Sequence, residues 1–247
     1  MKNLIYMVAI DHNKSQYQHS NFLQYSKKSW ERWCEKNSVD LHIVTEHNEK
    51  YGFAIWNKLD VVEVGKDYDK IGIVDCDTMI NIEAPNIFET LEDGVNGVMD
   101  DSNYNWIYNS IQDYGKFFKH DMDYEKYINA GVVFLDNKSL TVYDKLRDFY
   151  FKNQEELDNW NKGGGKEQTI LNYHLVKNNI TPKLLPPTWN LFAIHKKEMF
   201  NGNWQMPEDP TPFFIKYGNI WHFTGISLQD RIDLMKITWE RFGDRYV

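Results

Sequence analysis

Three short apolar runs open the chain, at residues 4–10, 41–45 and 71–74, with helical patterns between them. Each run is shorter than an ordinary helix and almost free of polar positions, so each reads as a buried strand. Residues 20–37 carry Phe22, Leu23, Tyr25, Trp30, Trp33 and Cys34 at three- and four-residue steps, the spacing of an amphipathic helix with one buried face. Residues 54–64 read as a second helix. A βαβαβ opening of this kind predicts an α/β fold with a mostly parallel central sheet, because parallel strands need crossover connections and the crossovers cover both faces. Farther on, residues 97–99 and 131–135 read as strands, 190–194 as strand-like, and 139–158, 167–178 and 228–241 as helices. Residues 102–127 are rich in aromatic and polar groups and show no clean period. Without an internal repeat or a long linker, one domain over residues 1–247 is expected.

Charge and cysteine content narrow the function. Lys+Arg 28 against Asp+Glu 36 gives 28 − 36 = −8, which disfavours a chain held on nucleic acid by general electrostatics. Two cysteines, Cys34 and Cys76, cannot build a disulfide scaffold or a four-cysteine zinc site. The first apolar run lacks a small-residue cleavage site and ends at Asp11, so it reads as a strand and not a signal peptide. No run approaches the roughly 18 apolar residues of a membrane span, and a cytoplasmic protein is expected.

The sharpest chemistry stands at the end of the third apolar run, Ile71-Gly72-Ile73-Val74-Asp75-Cys76-Asp77. A buried strand there delivers two carboxylates to its C-terminal end, the edge of a parallel sheet where ligands bind. Two carboxylates with a spacer offer hard oxygen ligands to Mg²⁺ or Mn²⁺ and leave positions open for phosphate. Two solvated aspartates in a turn are the plain alternative. Strand alternation turns the Cys76 side chain away from the side the two aspartates share. A haloacid-dehalogenase-type phosphatase would use Asp75 as its nucleophile. Its pattern needs Thr or Val where Met79 stands, and it sits on the first strand, not the third.

Four further segments favour another enzyme: Trp56-Asn57-Lys58-Leu59, Asn129-Ala130-Gly131-Val132-Val133-Phe134, Gly164-Gly165-Lys166-Glu167-Gln168, and Trp221-His222-Phe223-Thr224-Gly225. In this order, with the Asp-Cys-Asp, they resemble the retaining nucleotide-sugar glycosyltransferases of family 8, the glycogenin and lipopolysaccharide-galactosyltransferase group. The resemblance runs from about residue 1 to 228 and implies a GT-A fold. It implies a nucleotide-binding half over 1–100, and an acceptor half with a C-terminal metal-ligand segment over 101–247. The implied donor is a UDP-sugar, and the implied acceptor a carbohydrate or glycoconjugate, with nucleic acid disfavoured by charge.

The resemblance also assigns residues. Asp75, Asp77 and His222 would hold Mn²⁺ or Mg²⁺, with Cys76 in the donor-binding stretch between the aspartates and Gly225 closing the His-x-x-Gly pattern. Asn129, Ala130 and Gly131 would lie against the donor sugar, and Lys58 would reach its phosphate or sugar. Asp11 and Tyr17 fall where the family binds the base. Glu167-Gln168 matches the family's Asp-Gln pair beside the anomeric carbon, with Glu in place of Asp. The family's phosphate-holding Lys is replaced by Leu228, and Arg231, one helical turn later, is the nearest cation that could compensate. Tyr104, Trp106, Tyr108, Tyr114 and Phe117 are candidates for an acceptor platform, and one of Asp100 and Asp101, which end a strand on the same edge, for a contact to donor or acceptor hydroxyls. The Leu228 and Glu167 departures also leave room for a glycosyltransferase-like protein that binds without turnover.

Overall fold

The computed structural model describes residues 1–11, 20–120, 122–160, 165–192 and 211–247. Tyr17 therefore lies outside the described residues. The chain runs through β1 (Asn3–Val8), α1 (Ser20–Asn37), β2 (Asp40–Val44), a 3-10 turn over Ala54–Asp60 leading into α2 (Val61–Gly65), β3 (Lys70–Asp75) and β4 (Thr78–Ile80). Next come α3 (Ile87–Thr90), β5 (Val95–Met99), α4 (Tyr104–Phe118), β6 (Ile128–Asp136), α5 (Leu140–Lys152), α6 (Gln154–Asp158) and α7 (Lys166–Lys177). The short strands β7 (Lys183–Leu184) and β8 (Leu191–Phe192) follow, then a short helix Phe213–Tyr217, β9 (Ile220–His222) and the C-terminal helix Leu228–Tyr246.

Six strands form the central sheet in the order β2-β1-β3-β6-β5-β7. β1 pairs in parallel with both β2 and β3, as the opening pattern predicts. β6 is the exception, antiparallel to β3 on one side and to β5 on the other. Both faces are covered. Ile5, Met7, Val74, Val132 and Phe134 pack on one side with Trp30 and Trp33 of α1 and Trp221 of β9. Leu4, Tyr6, Ile71, Ile73, Val133 and Leu135 pack on the other with Leu146 of α5 and Ile170 of α7. Neighbouring residues of one strand thus face opposite cores, which is why these strands read as unbroken apolar runs.

Three local readings are corrected. Residues 104–118 form a helix that the sequence hides, because its buried face includes Ser110 while Tyr104 and Tyr108 stand exposed. Its start is marked by Asn103, whose side chain accepts from the Trp106 N–H. The helix expected over 139–158 breaks into α5 and α6 at Asn153, whose amide side chain donates back to the Phe149 carbonyl. The helix expected over 54–64 is mostly a 3-10 turn. Among the described residues, no helix is long and apolar enough to cross a membrane.

Strand direction positions the site. β3 and β5 run the same way and end at Asp75 and Met99, while the reversed β6 begins at that edge with Ile128 and Asn129. A second sheet, ordered β4-β9-β8, brings the C-terminal segments to the same place.

Candidate active site

β3 ends at Asp75, and the chain turns at once into β4. The Thr78 hydroxyl closes that turn by donating to the Asp75 carbonyl at 2.6 Å, and Trp30 Nε1 donates to the same hydroxyl at 3.0 Å. Cys76 points into the core, and burial pushes its thiol pKa well up. β4 pairs antiparallel with β9, with Thr78 opposite His222, and the Phe223 N–H donates to the Asp77 carbonyl at 2.9 Å. This pairing carries His222 to two aspartates far away in sequence. His222 Nε2 lies 3.3 Å from Asp77 Oδ1 and 3.8 Å from Asp75 Oδ2.

His222 is 2% exposed, its Nδ1 is 2.9 Å from Asn190 Oδ1, and its Nε2 has no hydrogen-bond partner. A buried polar atom without a hydrogen-bond partner is costly, and one that faces two carboxylates fits a bound cation. Ligand atoms of Asp75, Asp77 and His222 lie within 4.8 Å of one another, the only such cluster among the described residues. Two carboxylates and an imidazole suit a divalent cation such as Mn²⁺ or Mg²⁺.

Gly131 leaves room for this cluster. A Cβ there would stand 2.2 Å from His222 Cε1 and 2.8 Å from Asp75 Oδ2. Lys58 closes the other side. Its Nζ lies 2.6 Å from both Asp75 Oδ1 and Glu167 Oε1, and donates to the Ala130 carbonyl at 3.3 Å. Burial opposes the Lys58 charge, but the two carboxylates outweigh it and its pKa is raised. Burial also pushes the Glu167 carboxyl up, against the pull of Lys58. Glu167 enters from the first turn of α7, whose N-cap Gly165 has φ +75. A side chain at Gly165 would meet the Trp106 ring at 2.7 Å, so glycine is required twice over.

Gln168, Asn129 and Asp100 form the floor. Gln168 Oε1 accepts from the Ala130 N–H at 3.0 Å, and its Nε2 donates to Asp100 Oδ2 at 2.9 Å. Asn129 Nδ2 donates to the same oxygen at 3.0 Å. Asp100 Oδ1 accepts from the Ser102 N–H and hydroxyl. With both oxygens hydrogen-bonded and 2% exposure, Asp100 anchors the floor.

No protein-family model and no curated protein matches this chain. Solved structures do. A glycosyltransferase involved in glycosylating the major capsid of PBCV-1 aligns with 96% of this chain and 100% of its own, at TM-score 0.61 and 12% identity. The fold is GT-A. The galactosyltransferase LgtC, crystallised with donor and acceptor sugar analogues, covers 94% of this chain and 95% of its own, at TM-score 0.55 and 14% identity. The bifunctional glycosyltransferase WbbM covers 97% of this chain at TM-score 0.59 and 15% identity, and the chain spans 50% of it.

Of the remaining expected residues, Arg231 joins the cluster at Asp77. Arg231 is 5% exposed. Its Nε donates to the Phe223 carbonyl at 2.8 Å and lies 3.2 Å from Asp77 Oδ2, so it braces the second aspartate and the strand bearing His222. Leu228 packs against the core. Gly225 has φ +70 in the turn after His222. Asp11 is exposed beyond β1. Of the five aromatics, Tyr114 is buried and Phe117 packs on Trp160, while Tyr104 and Tyr108 are 57% and 64% exposed. Asn190 was not among the expected residues. It follows a 3-10 turn over Pro187–Trp189, and no local pattern marks it as part of the site.

Proposed function

We propose that this chain is a metal-dependent glycosyltransferase that moves a sugar from a nucleoside-diphosphate donor, a UDP-sugar, to a carbohydrate or glycoconjugate acceptor with retention of configuration. The observation that carries this reading is the buried, partnerless Nε2 of His222 facing Asp75 and Asp77 at the ligand edge of a GT-A fold. Asp75, Asp77 and His222 would hold Mn²⁺ or Mg²⁺, which would supply positive charge to balance the departing diphosphate.

In this reading Asn129, Ala130 and Gly131 let the sugar approach the backbone closely. Gln168 orients the sugar, and Lys58 holds Glu167 in place beside it. Retention then proceeds by a carboxylate nucleophile, for which Glu167 is the candidate, or by front-face departure of the phosphate. Asp11 and Tyr17 would meet the base. The exposed faces of Tyr104 and Tyr108 suit stacking on acceptor sugars. The GT-A fold leaves the phosphatase reading without support. Leu228 in the expected Lys position, and Glu167 already paired with Lys58, favour a second reading in which the chain binds donor without turnover.

The deciding experiment measures UDP affinity and UDP release from a panel of UDP-sugars, in Mn²⁺ and in EDTA. Metal-dependent binding that Asp75→Ala and Asp77→Ala abolish is expected. Equal UDP affinity in both buffers sinks the proposal. Binding without release for any donor and acceptor pair selects the second reading.

A further inference from the structure

A tautomer is built into this site by a chain of hydrogen bonds whose direction is fixed at its far end. The Gly131 N–H can only donate, and it donates to Asn129 Oδ1 at 2.8 Å. Asn129 must therefore turn its amide nitrogen the other way, toward Asp100 Oδ2 at 3.0 Å. Asp100 is already an acceptor for the Ser102 N–H, the Ser102 hydroxyl and Gln168 Nε2, so its contact with Asn129 has the same sense.

With Asn129 Oδ1 fixed as an acceptor, the next group must donate to it, and Asn190 Nδ2 does so at 3.0 Å. Asn190 Oδ1 is then left facing His222 Nδ1 at 2.9 Å. A carbonyl oxygen accepts only, so Nδ1 carries the proton. In a neutral imidazole the lone pair is then on Nε2, the atom that faces Asp75 and Asp77. All the groups are buried: Asp100 2%, Asn129 7%, Asn190 1% and His222 2% exposed, so water does not readily replace any link.

We infer that Asn190 is a positioning residue, which locks His222 in its Nδ1–H tautomer and so keeps Nε2 ready to bind a divalent cation. The inference rests on the metal-site reading above. Its consequence is that the metal ligand and the floor of the donor-sugar site share one network, since Asp100 also holds Gln168. The partner of a metal-bound histidine commonly sets its tautomer, orientation and basicity. Here that partner is a neutral amide, itself oriented by a second amide and a carboxylate.

The test begins with the metal-free wild type. Nitrogen-15 NMR of its histidines, above the pH at which imidazole titrates, should show His222 protonated at Nδ1. A neutral ring whose only proton is on Nε2 overturns the inference. Mn²⁺ titration then compares variants. Asn190→Ala should weaken Mn²⁺ binding by about 10–100-fold, the range seen when such partners are lost. Asn190→Asp keeps an acceptor for Nδ1 but sets its second oxygen against Asn129 Oδ1 in place of the donated bond, so it should bind Mn²⁺ better than Asn190→Ala and less well than the wild type. A folded Asn190→Ala protein that binds Mn²⁺ like the wild type overturns the proposal. If that variant does not fold, the wild-type tautomer and the Asn190→Asp titration still decide. A wild type that carries the Nδ1 proton but binds no Mn²⁺ supports the tautomer and overturns the metal-site reading instead.

Discussion

Replacing Gly131 by alanine adds one methyl group at the most crowded point of the site. Gly131 has no positive φ, so alanine costs no dihedral strain and the penalty is one of contact. The new Cβ would stand 2.2 Å from His222 Cε1, 2.8 Å from Asp75 Oδ2 and 2.9 Å from Asn129 Oδ1. Carbon atoms rest at about 3.5–4.0 Å, so the imidazole must retreat by roughly 1.3–1.8 Å. Metal–ligand distances tolerate only about 0.2 Å. His222 has little room to recover, because Asn190 holds its Nδ1 at 2.9 Å. Gly131→Ala should therefore remove His222 as a ligand and cost at least the tenfold to hundredfold in affinity that follows loss of a supporting partner. Overpacking of this kind also costs about 1–3 kcal/mol. In a chain of this size that lowers Tm by roughly 2–12 °C. Titration calorimetry with Mn²⁺ reads the first effect, and a thermal melt in EDTA reads the second. A variant that matches the wild type in both would refute the close-approach argument.

Three further outcomes are expected. Lys58→Met leaves Asp75 and Glu167 facing each other without their buried cation, and should cost about 3–5 kcal/mol in urea denaturation at pH 8. An unchanged midpoint would show that the lysine is not what holds the pair. His174 is buried with both ring nitrogens unpartnered, and burial, with Lys177 and Lys145, lowers its pKa from 6.5 to about 4. The unfolded chain then binds the extra proton, so this contribution is complete above pH 6.5 and is lost as pH falls toward 4. The loss amounts to about 3 kcal/mol, and His174→Leu should flatten that part of the stability–pH curve. A slope unchanged in His174→Leu would assign it to other groups. Burial pushes the Cys34 thiol pKa up to about 12 and that of Cys76 well up, so neither should react with a thiol reagent at pH 8 until the protein unfolds. Fast labelling of the native protein would contradict their burial.

The sequence by itself determined the strands of the opening half and the chemistry at their edge. Residues such as Ile71, Ile73 and Val74 have no polar neighbours to place in water, so they must be covered on both faces, and the aspartates that follow must emerge at a sheet edge. Alternation alone placed Cys76 opposite the two carboxylates, and the structure buries it. Helix α4 was hidden, because Ser110 on the buried face and Tyr104 and Tyr108 on the exposed one erase its apolar period. Only the tertiary structure decided the reversed direction of β6, because strand propensity carries no sense of direction. Only the tertiary structure decided that Arg231 reaches Asp77. The same holds for the site's completion. The register of β4 on β9 sets Thr78 opposite His222, and β8 beside β9 delivers Asn190 to the imidazole. These contacts join residues far apart in the chain, and hydrogen bonds across such distances depend on how strands pair, which no local pattern of residues records.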